Sequence, residues 1–180
     1  PLPVEGALEL QSLAETCNTV FEENRETQKI IRHEAEHDPL TDLLNRGSFN
    51  RIFPICCQGK SPFALVLVDI DHFKSINDTC GHTAGDEAIK RIAAQLKSAF
   101  RSEDYTFRIG GDEFAVIMVD VSEALREPLE ERLRLLCDTV AGSSTGLSPI
   151  SISVGAAFSD RRNPEGTLFN DADKALYDVK

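Results

Sequence analysis

The sequence predicts an α+β domain with a β-α-β-β-α-β core, its antiparallel central sheet flanked by helices, preceded by an N-terminal helical stalk. Three observations carry this. Residues 8 to 37 contain no glycine or proline and place residues at heptad spacing. Phe63 to Ile70 is a short apolar run of strand length. Two further strand-like runs, Tyr105 to Ile109 and Glu113 to Val119, are separated only by Gly110-Gly111-Asp112, the composition of a hairpin turn.

Each element follows in order. In the stalk, Leu10, Cys17, Asn24 and Ile31 fall seven apart, as do Leu13, Val20, Thr27 and Glu34, giving an a/d pattern that weakens towards its end. The pattern fits a short coiled coil, with Asn24 as a register-setting polar residue, or a lone amphipathic helix packed on its own domain. Asp38-Pro39 breaks it, which sets the boundary between a stalk of residues 1–37 and a domain of residues 38–180. A helix is expected next, with Leu40, Leu43, Leu44 and Phe49 on one face. Phe63 to Ile70 reads as a buried central strand. From Thr83 to Phe100, Ala88, Ile89, Ile92, Ala93, Leu96 and Phe100 recur at helical spacing. After the hairpin, a helix beginning near Pro128 buries Leu129, Leu133, Leu136 and Val140, with proline suited to its first turn. Ile150 to Phe158 is the fourth strand and Leu168 to Val179 the last helix. This order is ferredoxin-like, the layout of the palm of many nucleotide polymerases.

Composition narrows the function classes. A chain of 180 residues, 41% of them apolar, builds one full core plus an appendage without disulfide or metal staples. Phe63 to Val68, as long as any of its apolar runs, falls far short of the roughly 20 residues that span a bilayer. The opening, Pro1-Leu2-Pro3-Val4-Glu5-Gly6, has no features of a cleavable signal and reads as a fragment boundary. An upstream sensor or membrane segment is therefore expected. The five cysteines are odd in number and show no Cys-x-x-Cys spacing, so they read as thiols of a reducing cytoplasm. A net charge of −11 argues against nucleic acid as a partner, and makes any anionic substrate depend on a bridging metal.

Three constellations could do chemistry. Asp69-Ile70-Asp71 ends the central strand, where alternation puts both carboxylates on one face. Carboxylates at a sheet rim suit Mg²⁺, though they also serve as ordinary strand-ending turn residues. Gly110-Gly111-Asp112-Glu113-Phe114 forms the hairpin turn; its glycines permit positive φ and close approach of a ligand. If that hairpin neighbours the central strand, Asp112 comes near Asp69 and three carboxylates converge on a metal. The third is Phe73-Lys74-Ser75-Ile76-Asn77-Asp78 followed by Gly81-His82-Thr83-Ala84-Gly85-Asp86. Lys74 and Asn77 share a helical face. Thr83-x-x-Asp86 fits a capping box, or Asp86 accepts from guanine N1–H and N2–H₂, a donor pair adenine lacks.

Together, in this order, these residues resemble the GGDEF diguanylate cyclase family. The resemblance starts at Asp38-Pro39-Leu40-Thr41-Asp42-Leu43-Leu44-Asn45-Arg46 and runs through the Asp69 to Asp86 block. It continues in Arg108-Ile109-Gly110-Gly111-Asp112-Glu113-Phe114, Ser151-Ile152-Ser153-Val154-Gly155-Ala156 and Ala172-Asp173-Lys174-Ala175-Leu176-Tyr177. Asp42 stands where the family usually has glycine, and Gly47 where it often has a second arginine. The chain stops at Lys180, before the usual Gly-Arg-Asn, so a longer native product is expected.

The resemblance implies condensation of two GTP into cyclic di-GMP by a homodimer. Asp69, the carbonyl of Ile70 and Asp112 are the implied ligands of Mg²⁺ or Mn²⁺. Asn77, His82, Asp86 and Phe73 are implied at the nucleoside, and Lys74 and Lys180 at the phosphates. Asp112 or Glu113 is implied as the acceptor of the 3′-hydroxyl proton. Arg101-Ser102-Glu103-Asp104 resembles the family's product-inhibition site, or is an exposed ion pair closing the preceding helix; Arg132 or Arg134 is a candidate second grip. The alternative is a catalytically weak module acting as a receptor for GTP or cyclic di-GMP.

Overall fold

The computed structural model describes residues 8–142, 150–161 and 167–179, and the chain divides into two compact units, Pro1–His37 and Asp38–Lys180. The first unit is one helix, α1 (Leu8–Glu36). Leu13, Val20, Phe21, Ile30 and Ile31 along it are each more than half exposed. The Leu10 side chain of the heptad pattern lies outside the described set.

The second unit holds α2 (Arg46–Gln58), β1 (Phe63–Ile70), α3 (Phe73–Cys80), α4 (His82–Ala99), β2 (Tyr105–Arg108), β3 (Glu113–Val119), α5 (Arg126–Gly142), β4 (Ile152–Phe158) and α6 (Leu168–Val179). The strands lie in the order β2-β3-β1-β4, every neighbouring pair antiparallel. That is the ferredoxin-like order. β1 is central and buried along its length except at half-buried Asp69, because both faces of the sheet are covered. Ala64, Val66, Val68 and Ile70 pack with the apolar positions of α4 and α5. Phe63, Leu65 and Leu67 pack with Phe49 of α2 and Leu168, Ala172 and Leu176 of α6. Period-two alternation thus divides one apolar strand between two cores.

Gly155 fixes the spacing of the second core. A Cβ there would lie 2.2 Å from the Leu176 nitrogen and 2.3 Å from the Ala172 oxygen, so the α6 backbone rests directly on β4. Only glycine admits that approach.

One sequence expectation fails after Asp38. Leu40, Leu43 and Leu44 do not begin a helix; residues 38–45 form turns and α2 starts at Arg46. Local hydrogen bonding wins over apolar spacing here. The Asp38 carboxylate accepts from the Thr41 amide at 3.0 Å and its hydroxyl at 2.7 Å, and Asp42 takes a φ of 56°. In that left-handed turn glycine would sit without strain, and aspartate is one of the few other residues that tolerate it. Leu44 then makes a single parallel bridge to Phe107, and Asn45 caps α2 by accepting from Ser48 N.

Other boundaries shift by one or two residues: β2 stops at Arg108, β4 begins at Ile152, and α5 starts at Arg126, with Leu129, Leu133, Leu136 and Val140 buried as expected. All five cysteines are free, and burial pushes the thiols of Cys56, Cys57 and Cys137 up, which keeps them protonated.

Candidate functional site

The pairing of β1 with β3 sets Asp69 opposite Glu113. Just beyond, the Ile70 amide donates to the Asp112 carbonyl at 3.2 Å. The acids of two distant sequence blocks therefore meet at one end of the sheet. Asp71 lines the same cleft as Asp69, and its carboxylate accepts from the Ser153 hydroxyl at 2.6 Å. The expected convergence of three carboxylates on a metal is not formed among the described residues. Among the described residues no group of three or more His, Cys, Asp or Glu side chains is arranged to hold a metal ion. What remains are the carboxylates of Asp69 and Asp112 and the carbonyl of Ile70, an all-oxygen set whose hardness suits Mg²⁺ or Mn²⁺.

Beside these acids lies a cleft of about 360 Å³ lined by Asp69, Asp71, His72, Ser153 and Val179. His72 and Ser153 were not singled out from sequence. His72 bends the chain out of β1 with a φ of 54°, a left-handed conformation that histidine tolerates better than most residues. Its place between an acidic strand end and a helix was the available signal.

The signature turn is shaped differently from expectation. Neither Gly110 nor Gly111 takes a positive φ. Gly110 is needed for space instead: a Cβ there would meet Glu113 Oε2 at 2.4 Å and Glu113 Cβ at 3.1 Å. The turn is held from outside by Arg108, whose Nε and Nη2 donate to the Gly111 carbonyl at 3.3 and 2.8 Å. Its Nη1 donates to both oxygens of Asp38, at 3.0 and 3.1 Å. Both side chains are largely buried, at 15% and 18% exposure, so water competes weakly for this pair. Burial raises the Asp38 pKa, but hydrogen bonds from Thr41 and Arg108 and the Arg108 charge outweigh it, and the carboxyl stays below its usual range. Sequence reading placed Asp38 and Arg108 in motifs without linking them.

The chain passes from His72 directly into α3, which carries Phe73, Lys74 and Asn77; Lys74 is exposed. α3 packs on α4 at Gly85. A Cβ on Gly85 would fall 2.1 Å from Asn77 Oδ1 and 3.2 Å from Phe73 Cζ. Asn77 Oδ1 is buried and has no hydrogen-bond partner within the protein. Such an atom costs about 1–3 kcal/mol unless a donor reaches it, and it sits beside the Asp86 position. The capping box is not formed: Gly81, at φ 84°, is the N-cap of α4, and no side-chain cap bond is made. His82 opens the helix and both His82 and Asp86 are exposed. Lys180 lies outside the described residues.

Arg101 and Asp104 lie at the opposite end of the sheet. Val119 N donates to Asp104 Oδ1 at 3.2 Å, and Val119 pairs with Phe63, the first residue of β1. Asp69 lies six positions along β1 from Phe63, roughly 20 Å of strand. The expected exposed ion pair is absent: Asp104 Oδ2 accepts from the Arg101 backbone amide at 3.0 Å. The Arg101 side chain is exposed, with no ion pair among the described residues. Arg132 lies nearby, donating from Nε to Ala99 O at 2.7 Å and stacking on Phe100 at 5.0 Å. Arg134 pairs instead with Glu131 at 2.8 Å.

A ferredoxin-like sheet with acids at the end of its first strand has a palm-like layout. The family profile described as "Diguanylate cyclase, GGDEF domain" matches residues 35–180, and the chain belongs to that family. It is 34% identical over 185 residues to diguanylate cyclase DosC of Escherichia coli strain K12, covering 99% of this chain and 40% of the relative. It is 30% identical over 198 residues to diguanylate cyclase TpbB of Pseudomonas aeruginosa strain UCBPP-PA14, covering 99% and 44%. The chain thus spans about two-fifths of the length of these curated relatives. Among solved structures, it resembles the coiled coil and GGDEF domain of DgcB from Caulobacter crescentus in complex with c-di-GMP. That likeness has a TM-score of 0.79 and 28% identity over 93% of this chain and 92% of that one. Diguanylate cyclases of this family use a divalent metal ion. Among the described residues no helix is long and apolar enough to cross a membrane.

Proposed function

We propose that this domain condenses two GTP molecules into cyclic di-GMP, releasing two pyrophosphates, as a homodimer. The observation that carries the reading is the β1–β3 register, which gathers Asp69, Asp112 and Glu113 at one strand end. Asp69, the Ile70 carbonyl and Asp112 are the residues to hold Mg²⁺ or Mn²⁺. When bound, such an ion neutralises triphosphate charge and lowers the pKa of the attacking hydroxyl. Asp86 accepts from guanine N1–H and N2–H₂, and the orphaned Asn77 Oδ1 accepts a donor from the same nucleoside. His82 and Phe73 flank it, and Lys74, with Lys180, binds the phosphates. Asp112 or Glu113 takes the proton of the ribose 3′-oxygen, which bonds to the α-phosphorus of the second GTP as pyrophosphate leaves.

One such domain holds one GTP, so two domains face each other across the nucleotides. Bringing bound reactants together is worth ~7–11 kcal/mol in favourable systems. The stalk supports that reading. Its exposed Leu13 and Val20 occupy d positions, Ile31 an a position, and Phe21 and Ile30 the flanking e and g positions of one seam. A parallel coiled coil would cover them and set how the domains meet, under control of an upstream sensor. Arg101 and Asp104, with Arg132 as second grip, form the inhibitory site for cyclic di-GMP. Arg guanidinium suits phosphate or the guanine O6/N7 edge.

The test is incubation with GTP and Mg²⁺ followed by chromatography of the products. Cyclic di-GMP should form with the wild-type chain and fall at least about a hundredfold with Asp69→Asn or Asp112→Asn, both still folded. Undiminished synthesis by either variant would remove the acid assignment. Binding of GTP or cyclic di-GMP without turnover would favour the receptor alternative.

A further inference from the structure

We propose that Ser153 and Asp71 are a positioning pair for the cation of the acidic centre. Ser153 holds the Asp71 carboxylate at the cleft, where it accepts from the waters that a hydrated dication keeps. The inference rests on the assignment of Asp69 as a metal ligand and goes beyond it, because neither member of the pair is a ligand. The register of three strands sets the frame. Ser153 of β4 lies opposite Asp69 of β1, and Asp69 lies opposite Glu113 of β3. The three side chains therefore stand in one row on one face of the sheet. Asp71 comes two residues after Asp69, at the next place along that face. Its amide donates to the Ser151 carbonyl at 3.0 Å, which carries the ladder one residue past the end of β1.

Ser153 is a polar side chain in the interior, only 4% exposed. Its hydroxyl has one proton and a carboxylate can only accept, so the 2.6 Å bond commits that proton to Asp71 Oδ1. None is left for Asp69, whose carboxylate stays available to the ion. The strand that carries the hydroxyl is pinned on both faces. The α6 backbone rests on Gly155, and the Cys137 thiol of α5 donates to the Ile152 carbonyl. With Oδ1 engaged, Asp71 Oδ2 accepts from no protein group among the described residues, and Asp71 lines the 360 Å³ cleft together with Asp69. Mg²⁺ dehydrates reluctantly and keeps several waters even when carboxylates bind it. Those waters need acceptors, and the groups that supply them tune affinity. Among the described residues no three acids are arranged to hold an ion directly, so Asp71 acts through water.

The full chain is titrated with Mn²⁺, followed by electron paramagnetic resonance. Asp71→Asn and Ser153→Ala should each weaken binding by about 10–100-fold, the usual cost of removing such a supporting group. Ser153→Thr keeps the hydroxyl on a residue that strands favour and should restore the affinity. Because Ser153 acts through Asp71, the double variant should bind no worse than Asp71→Asn alone. In turnover, both single variants should raise the Mg²⁺ concentration needed for half-maximal rate, and saturating Mg²⁺ should restore kcat. Damage to the fold would not be cured by metal, so this split separates positioning from packing. Asp69→Asn is the reference variant. Affinity lost in Asp69→Asn but unchanged in Asp71→Asn overturns the pair alone. Affinity unchanged in both overturns the metal assignment with it.

Discussion

Asp86 is the residue whose role the fold narrowed most. Sequence left it between helix cap and base reader; Gly81 is the N-cap of α4 with no side-chain cap bond, and the exposed Asp86 carboxylate is near enough to Lys90 to add to the pKa rise that Glu87 causes there. Replacing it removes an acceptor for two guanine donors. Asp86→Ser should reduce the preference for GTP over ATP by roughly 10–100-fold, the worth of charge-assisted hydrogen bonds of ~1.5–3 kcal/mol. Competition between the two nucleotides measures this, and an unchanged preference would remove Asp86 from base recognition.

Two contacts between elements were invisible in the sequence and carry the site's geometry. The first is α6 on β4 at Gly155. Gly155→Ala must push backbone against backbone and should cost about 2–3 kcal/mol in denaturant unfolding. Gly142→Ala, at the end of α5 with nothing within 4 Å, should be near neutral and is the control. The second is Asp38 with Arg108. The folded-state pKa of Asp38 is depressed, so its contribution is present above the ordinary Asp value of about 3.9 and is lost as pH falls through the lower folded value. Asp38→Asn should cost about 1.5–3 kcal/mol near neutrality and flatten the acid limb of stability below roughly pH 4. Unfolding midpoints of both proteins across pH 2.5–7 decide it; parallel curves would mean the pair contributes nothing pH-dependent.

At the scale of the whole molecule, the reaction needs two domains and the control needs places outside the acidic centre. Removing residues before Asp38 should leave a folded domain, because that unit has its own core, yet lower specific activity most steeply on dilution. Equal activity per domain across a dilution series, with and without the stalk, would count against stalk-driven dimerisation. Product feedback is separable by position. Arg101 lies at the other end of the sheet from Asp69, so Arg101→Ala should relieve inhibition by micromolar cyclic di-GMP while GTP turnover persists. Inhibition of undiminished strength would place the product at the active site instead.

The sequence by itself determined the element order and the two-sided burial of β1, and it proposed Asp69, Asn77, Asp86 and Asp112 as one functional set. These are periodic or local properties, set by side-chain alternation and by residue types in order. It misread residues 38–45, where Asp38 side-chain bonds and the left-handed Asp42 overrode apolar spacing. It left open what the Asp71 carboxylate meets, and only the approach of β4 supplied the Ser153 hydroxyl. The Arg108 bridge from Gly111 to Asp38 and the α6 contact at Gly155 were decided in three dimensions. Each depends on distances between atoms, over tens of residues, that residue order does not encode.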